Sequence, residues 1–167
     1  MSETLYKRLK KYSDSDYYGF HMPGHKRNKE LIKADIPYAY DITEITGFDD
    51  LHHSKEILKE EQERAAKIFH AEETAFLVNG STVGILSAIL GSTEKGDRIL
   101  VARNCHKSVY HAIYMNELHV DYIYPNYDPE VELNGEIDPE KIRKKLEENY
   151  KSDCENKIKA VMIVSPT

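Results

Sequence analysis

Two short segments have the residue types and spacing to hold a phosphate and an aromatic ring. Asn79-Gly80-Ser81-Thr82 follows the apolar run Phe76-Leu77-Val78 and precedes an apolar helical pattern. Free amides at a helix start, two hydroxyls and the positive end of the helix dipole make an anion cradle. The same four residues suit an ordinary Ser N-cap after a Gly turn, and both roles stay open. They match neither G-x-x-x-x-G-K-S/T nor G-x-G-x-x-G, since the Lys and the further glycines are missing, and triphosphate and dinucleotide readings fall. His106, in Arg103-Asn104-Cys105-His106-Lys107-Ser108, opens the next helical pattern. There it can stack on a ring or donate a hydrogen bond, or simply cap the helix or sit on the surface. Two successive strand ends that present such residues share one crevice at the carboxyl edge of an open sheet.

The N-terminal third carries other candidates. His21, His25 and Lys26 flank the Pro-Gly turn of Phe20-His21-Met22-Pro23-Gly24-His25-Lys26. That turn removes the one-face helical geometry an i, i+4 His pair needs for a metal, so a loop for substrate contact or plain turn chemistry is left. Asp41-Ile42-Thr43-Glu44, Asp49, Asp50, His52 and His53 add charge that reads as a solvated loop rather than a metal cage, with a di-metal hydrolase as the lesser alternative. No metal is expected. Cys105 diverges from His106 by about 100° around a helix, so it reads as a packed thiol and not as half of a nucleophile pair.

The elements that must position these residues alternate. Leu5, Leu9 and Tyr12 predict a short amphipathic N-terminal helix, followed by an irregular arm punctuated by Pro23-Gly24, Pro37 and Gly47. A helix is predicted from an N-cap at Ser54 to about His70, with Ile57, Leu58, Ala65, Ile68 and Phe69 on its apolar face. Strands are predicted at 74–78, 98–102, 120–124 and 160–164, and helices at 82–90 and 106–116, with a further helix capped by Asp138 and opened by Pro139. Strands separated by helices imply parallel pairing and an α/β fold. The reading divides the chain into a helix and irregular arm, 1–53, and the amino-terminal part of a larger α/β domain, 54–167. A strand followed by only three residues has nothing to cover it, so the sequence reads as cut inside that domain.

The whole chain of 167 residues is 40% hydrophobic, enough for a core. Its 23 basic against 29 acidic side chains, net charge -6, give no reason to expect nucleic acid or an anionic membrane as partner. No apolar run reaches the roughly 18 residues of a membrane span, and no signal peptide is visible. Two cysteines, Cys105 and Cys154, suit a reducing compartment, so the cytoplasm is expected.

Together the HMPGHK segment, the stretch from Asp41-Ile42-Thr43-Glu44 through Gly47-Phe48-Asp49-Asp50-Leu51-His52, the Asn79-Gly80-Ser81-Thr82 turn and the Arg103 to Ser108 segment closely resemble the Orn/Lys/Arg decarboxylases. These are pyridoxal 5'-phosphate enzymes of the aspartate-aminotransferase fold, fold type I. The resemblance spans nearly the whole chain. It implies that Gly80, Ser81 and Thr82 hold the cofactor phosphate, that His106 stacks on the pyridine ring as the catalytic histidine, and that Thr167 approaches the cofactor. It puts His21, His25, Lys26, Asp49 and Asp50 in the active-site surroundings or at a subunit interface. A small basic amino acid is the implied substrate, and a homodimer or higher homo-oligomer the implied assembly. The family's Ser-x-His-Lys motif, which carries the Schiff-base lysine, and its pyridine-pairing Asp do not occur here, so this chain by itself is expected to be inactive. A naturally truncated binding or regulatory protein is the alternative.

Overall fold

The computed structural model describes residues 3–21, 23–28, 30, 36–153 and 155–165. It forms two compact units, Met1–Phe76 and Leu77–Thr167. The division at residue 53 in the sequence marks where regular alternation begins; compactness instead divides the chain after the first long helix.

In the first unit, α1 (Leu5–Ser13) is capped by the Thr4 hydroxyl, which accepts from the Lys7 amide at 3.3 Å. It is tied down by polar bonds: the Leu5 amide donates to Glu61 Oε1 at 2.8 Å, and Arg8 donates to the Gly47 carbonyl at 2.8 Å. Glu61 lies on α2 (Ile57–Phe69). Among the described residues, buried apolar side chains are few here, namely Phe48, Ile57 and Ala66, with Tyr12 packed edge-on against Phe48.

One expectation for α2 needs correction. Ser54 does not cap it. The Asp49 carboxylate reaches forward to the amides of Lys55, Glu56 and Leu58, which caps the first turn from outside, and the helix starts at Ile57 after Glu56. At the far end of the apolar face Ile68 and Phe69 are 65% and 77% exposed.

The second unit is built on a parallel three-stranded sheet of order β2-β1-β5, with β1 (Arg98–Ala102) between β2 (His119–Ile123) and β5 (Ile158–Met162). Val101 pairs with Tyr122 on one side and Met162 on the other. A central parallel strand is covered on both faces and so reads as a continuous apolar run. Ile99, Leu100, Val101 and Ala102 are all at most 1% exposed. Helix α3 (Gly80–Ser92) precedes β1, α4 (Lys107–Met115) connects β1 to β2, and α5 (Pro139–Lys151) connects β2 to β5. Right-handed crossovers that run in opposite directions put α4 and α5 on opposite faces of the sheet. Between β2 and α5 stands a two-residue antiparallel ladder, β3 (Tyr127–Asp128) with β4 (Leu133–Asn134). Asp138 caps α5 through the Glu140 amide at 2.9 Å, with Pro139 in the first turn.

The predicted strand at 74–78 does not form. Phe76, Leu77 and Val78 are 39%, 51% and 65% exposed, and the segment has no ladder partner among the described residues. An apolar run becomes a strand only where a neighbour takes its backbone hydrogen bonds.

Candidate functional site

The start of α3 is open. Asn79 makes no side-chain cap, and the amides of Gly80, Ser81 and Thr82 have no intrahelical acceptor because the helix begins with them. All three residues are exposed, and among the described residues neither hydroxyl has a hydrogen-bond partner. The Ser N-cap is therefore not realised: Ser81 lies inside the first turn with its hydroxyl free. Gly80 has φ +69°, and a Cβ there would meet nothing within 4 Å. Backbone conformation, not space, asks for glycine at that position.

His106 is the N-cap of α4. Its Nδ1 accepts from the Ser108 amide at 3.3 Å and lies 2.9 Å from the Ser108 Oγ. Ser108 is fully buried, so the imidazole is anchored at one nitrogen while the residue remains exposed. The capping role is real, and it leaves Nε2 outward with no hydrogen bond to another described residue.

The two helix starts share one end of the unit. Asn116, just past α4, donates from Nδ2 to the carbonyl and hydroxyl oxygens of Thr93, just past α3, both at 3.0 Å. The helices pack together and are locked at their carboxyl ends, so they point the same way. Their amino ends lie beyond the carboxyl end of β1. At 13 residues against nine, α3 begins about 6 Å farther out than α4. The hydroxyls and the imidazole are thereby brought to one rim.

The N-terminal candidates lie in the first unit and are engaged in structure. Asp49, at φ +66°, accepts from the amides of Asp50, Lys55, Glu56 and Leu58 at 2.8 to 3.2 Å. Desolvation pushes its carboxyl up, but the amides of Lys55, Asp50, Glu56 and Leu58 together win and hold it at about 2. Asp50 caps a single turn at Leu51–His53 through the His52 amide, with His53 Nδ1 at 3.1 Å; the His52 amide and then the His53 ring hold its carboxyl below the usual range. His25 stacks on Tyr38 at 4.3 Å between centroids, accepts from the Arg27 amide at Nδ1, and meets Asp41 Oδ2 at 3.2 Å through Nε2. His21 Nε2 lies 2.8 Å from the Tyr12 hydroxyl, and Lys26 donates to the His21 carbonyl. Arg27, which the sequence did not single out, donates to the carbonyls of Tyr12 and Tyr17 and lies over the Tyr12 ring. His21 and Arg27 are thus clasped to Tyr12 of α1.

Cys105 is the packed thiol expected, buried, with desolvation raising its pKa. Thr167, Met22 and Cys154 lie outside the described residues. Two further features escaped sequence reading. Arg103 lies over the rings of Tyr110 and Tyr122, and the buried Asn104 Oδ1 has no partner among the described residues. Among those residues, no three His, Cys, Asp or Glu side chains converge as metal ligands, and no helix is long and apolar enough to cross a membrane.

The sequence profile of the family described as Orn/Lys/Arg decarboxylase, major domain, matches residues 3–167. The chain is similar to YaaO of Bacillus subtilis (strain 168), an uncharacterized protein, with 39% identity over 88% of this chain and 32% of that one. It is similar to an arginine decarboxylase of Bacillus anthracis, with 34% identity over 98% of this chain and 33% of that one. Among solved structures, the Francisella novicida lysine decarboxylase LdcF superposes with a TM-score of 0.78 at 25% identity, over 98% of this chain and 25% of that one. The chain spans about a third of the length of the curated relatives it matches. The expected fold class is borne out: an α/β unit with a parallel sheet of the fold type I kind, and an N-terminal helix and arm.

Proposed function

The chain belongs to the Orn/Lys/Arg decarboxylase family, and from that premise we propose that it supplies the phosphate-holding and ring-orienting residues of a pyridoxal 5'-phosphate enzyme that decarboxylates lysine, ornithine or arginine. The observation that carries this reading is the rim shared by the uncapped start of α3 and the exposed imidazole of His106. The donor set fits a phosphate monoester: three amides without helical acceptors, two free hydroxyls and the positive helix end. When bound, the cofactor supplies an electron sink for the pair left behind as carbon dioxide departs.

The residues of this chain bind and orient. Gly80, Ser81 and Thr82 fix the phosphate, and Thr167 adds a contact near it. His106, held at Nδ1 by Ser108, lays its ring over the pyridine and keeps water from that face. His21, His25, Lys26, Asp49 and Asp50 shape the surroundings by holding the arm and the start of α2. The proposed functional division is at 53/54, a helix and irregular arm before the amino-terminal part of a cofactor-bearing domain. The buried free thiol of Cys105 supports a reducing, cytoplasmic setting. The complete enzyme is a homodimer or higher homo-oligomer, as is usual for the fold type I class.

Absorbance titration of residues 1–167 with pyridoxal 5'-phosphate and with pyridoxal tests the reading. Phosphate should tighten binding about tenfold or more, and Ser81→Ala with Thr82→Val should remove that gain. Equal affinity for the two compounds would sink the cradle assignment. The same polypeptide with cofactor should release no carbon dioxide from lysine, ornithine or arginine above the free-cofactor rate, since the sequence contains no Ser-x-His-Lys motif.

A further inference from the structure

The first unit holds a cavity of about 260 Å³ whose walls are mostly apolar: Leu5 and Leu9 of α1, Ile42, Leu51 and Leu58, with the rings of Tyr40 and Phe48. Three carboxylates, those of Asp41, Glu44 and Asp49, also line it, and among the described residues no lysine or arginine does. Their availability differs. Asp49 stays ionised at any physiological pH, but its oxygens are taken up by backbone amides. Asp41 is shared with His25. Glu44 has no hydrogen bond or ion pair to any described residue, and its charge is uncommitted.

An aliphatic wall beside an unpaired carboxylate is complementary to a linear alkyl chain that ends in a cation. The volume lies just below the roughly 300 Å³ at which ligand pockets begin, a size for a small unbranched molecule. The same carboxylates repel a ligand that carries its own carboxylate. We propose that this cavity binds a linear aliphatic amine in its decarboxylated form, with the methylene chain against Leu5, Leu9 and Phe48 and the ammonium on Glu44 and Asp41. Because it discriminates by loss of the carboxylate, it senses product rather than substrate. The identification as a product site rests on the decarboxylase reading; the cavity's preference for alkylammonium ions does not.

The test is calorimetric titration of residues 1–167 without cofactor, using 1,5-diaminopentane, n-pentylamine, 1-pentanol, ammonium chloride and L-lysine. The two amines should bind at least about tenfold more tightly than pentanol, ammonium or lysine. Glu44→Gln, at an exposed position where the fold is undisturbed, should weaken the amines about tenfold and leave pentanol unchanged. It should also leave the affinity for pyridoxal 5'-phosphate unchanged, a readout that separates this cavity from the cradle. Equal binding of pentylamine and pentanol, or amine binding indifferent to Glu44→Gln, would overturn the site. Lysine binding as tightly as the diamine would overturn its assignment to the decarboxylated form.

Discussion

The two units hold themselves together by different means. Among its described residues the first buries only three apolar side chains, Phe48, Ile57 and Ala66, and relies on side chains bonded to backbone: Asp49 to the start of α2, Arg8 to Gly47, Arg27 to Tyr12 and Tyr17. The second has a contiguous apolar core around β1, to which α3, α4 and α5 contribute. In the first unit most of the titratable residues that the sequence singles out are consumed by structure, with Glu44 as the exception, so His25, Lys26, Asp49 and Asp50 look chemical in sequence and act as clasps and caps. In the second the core carries the stability, which leaves the hydroxyls of Ser81 and Thr82 and the Nε2 edge of His106 free. Reactive side chains remain available where apolar burial has already fixed the backbone.

The largest expected effect tests the core side of this contrast. Leu100→Ala, at a fully buried site on the central strand, should destabilise the second unit by about 2–5 kcal/mol in urea denaturation. Hydrogen exchange in α1 should change far less than in β1, β2 and β5; uniform loss of protection would erase the distinction between the units.

Asp49→Ala is the counterpart in the first unit. The amides of Lys55, Glu56 and Leu58 should exchange faster, with the start of α2 fraying. The pH dependence has a definite sign. Its folded pKa of about 2 lies below the ordinary 3.8, so the stabilisation is full above about pH 4 and is lost as pH falls through about 2. Acid titration monitored by exchange should show that loss in the wild type and not in the variant.

Gly80→Ala comes next. A side chain at φ +69° costs about 1–2 kcal/mol, visible as a lowered denaturation midpoint, and should also impair phosphate-dependent cofactor binding. The smallest effect sharpens the comparison most. Ser81→Ala should change stability by no more than about 0.5 kcal/mol, because the hydroxyl is exposed and unbonded, while weakening pyridoxal 5'-phosphate binding. A large stability loss would mean that Ser81, like Asp49, is a structural cap.

The legible parts of the fold were those with local signals. The apolar run at 98–102 became β1 with those ends, Asp138-Pro139 opened α5, and His106 stood at the start of α4. The segment at 74–78 carried the same apolar signal as β1, but no neighbouring strand pairs with it among the described residues, and pairing is a long-range property. Ser54 had the chemistry of a cap and lost to Asp49, whose carboxylate arrives from five residues upstream. A pair of aspartates before a helix was the available sign of that.

Residue type, order and short-range spacing by themselves determined the α/β class, the family, and which residues could hold a phosphate or face a ring. These depend on helix periodicity and end chemistry, which reach over a few residues. Only the tertiary structure decided which polar groups were already spent, that the starts of α3 and α4 share a rim, and that Glu44 is left unpaired beside an aliphatic cavity. A hydrogen bond or a cavity depends on where distant segments meet, and a side chain's chemistry is available only after those meetings have taken their share.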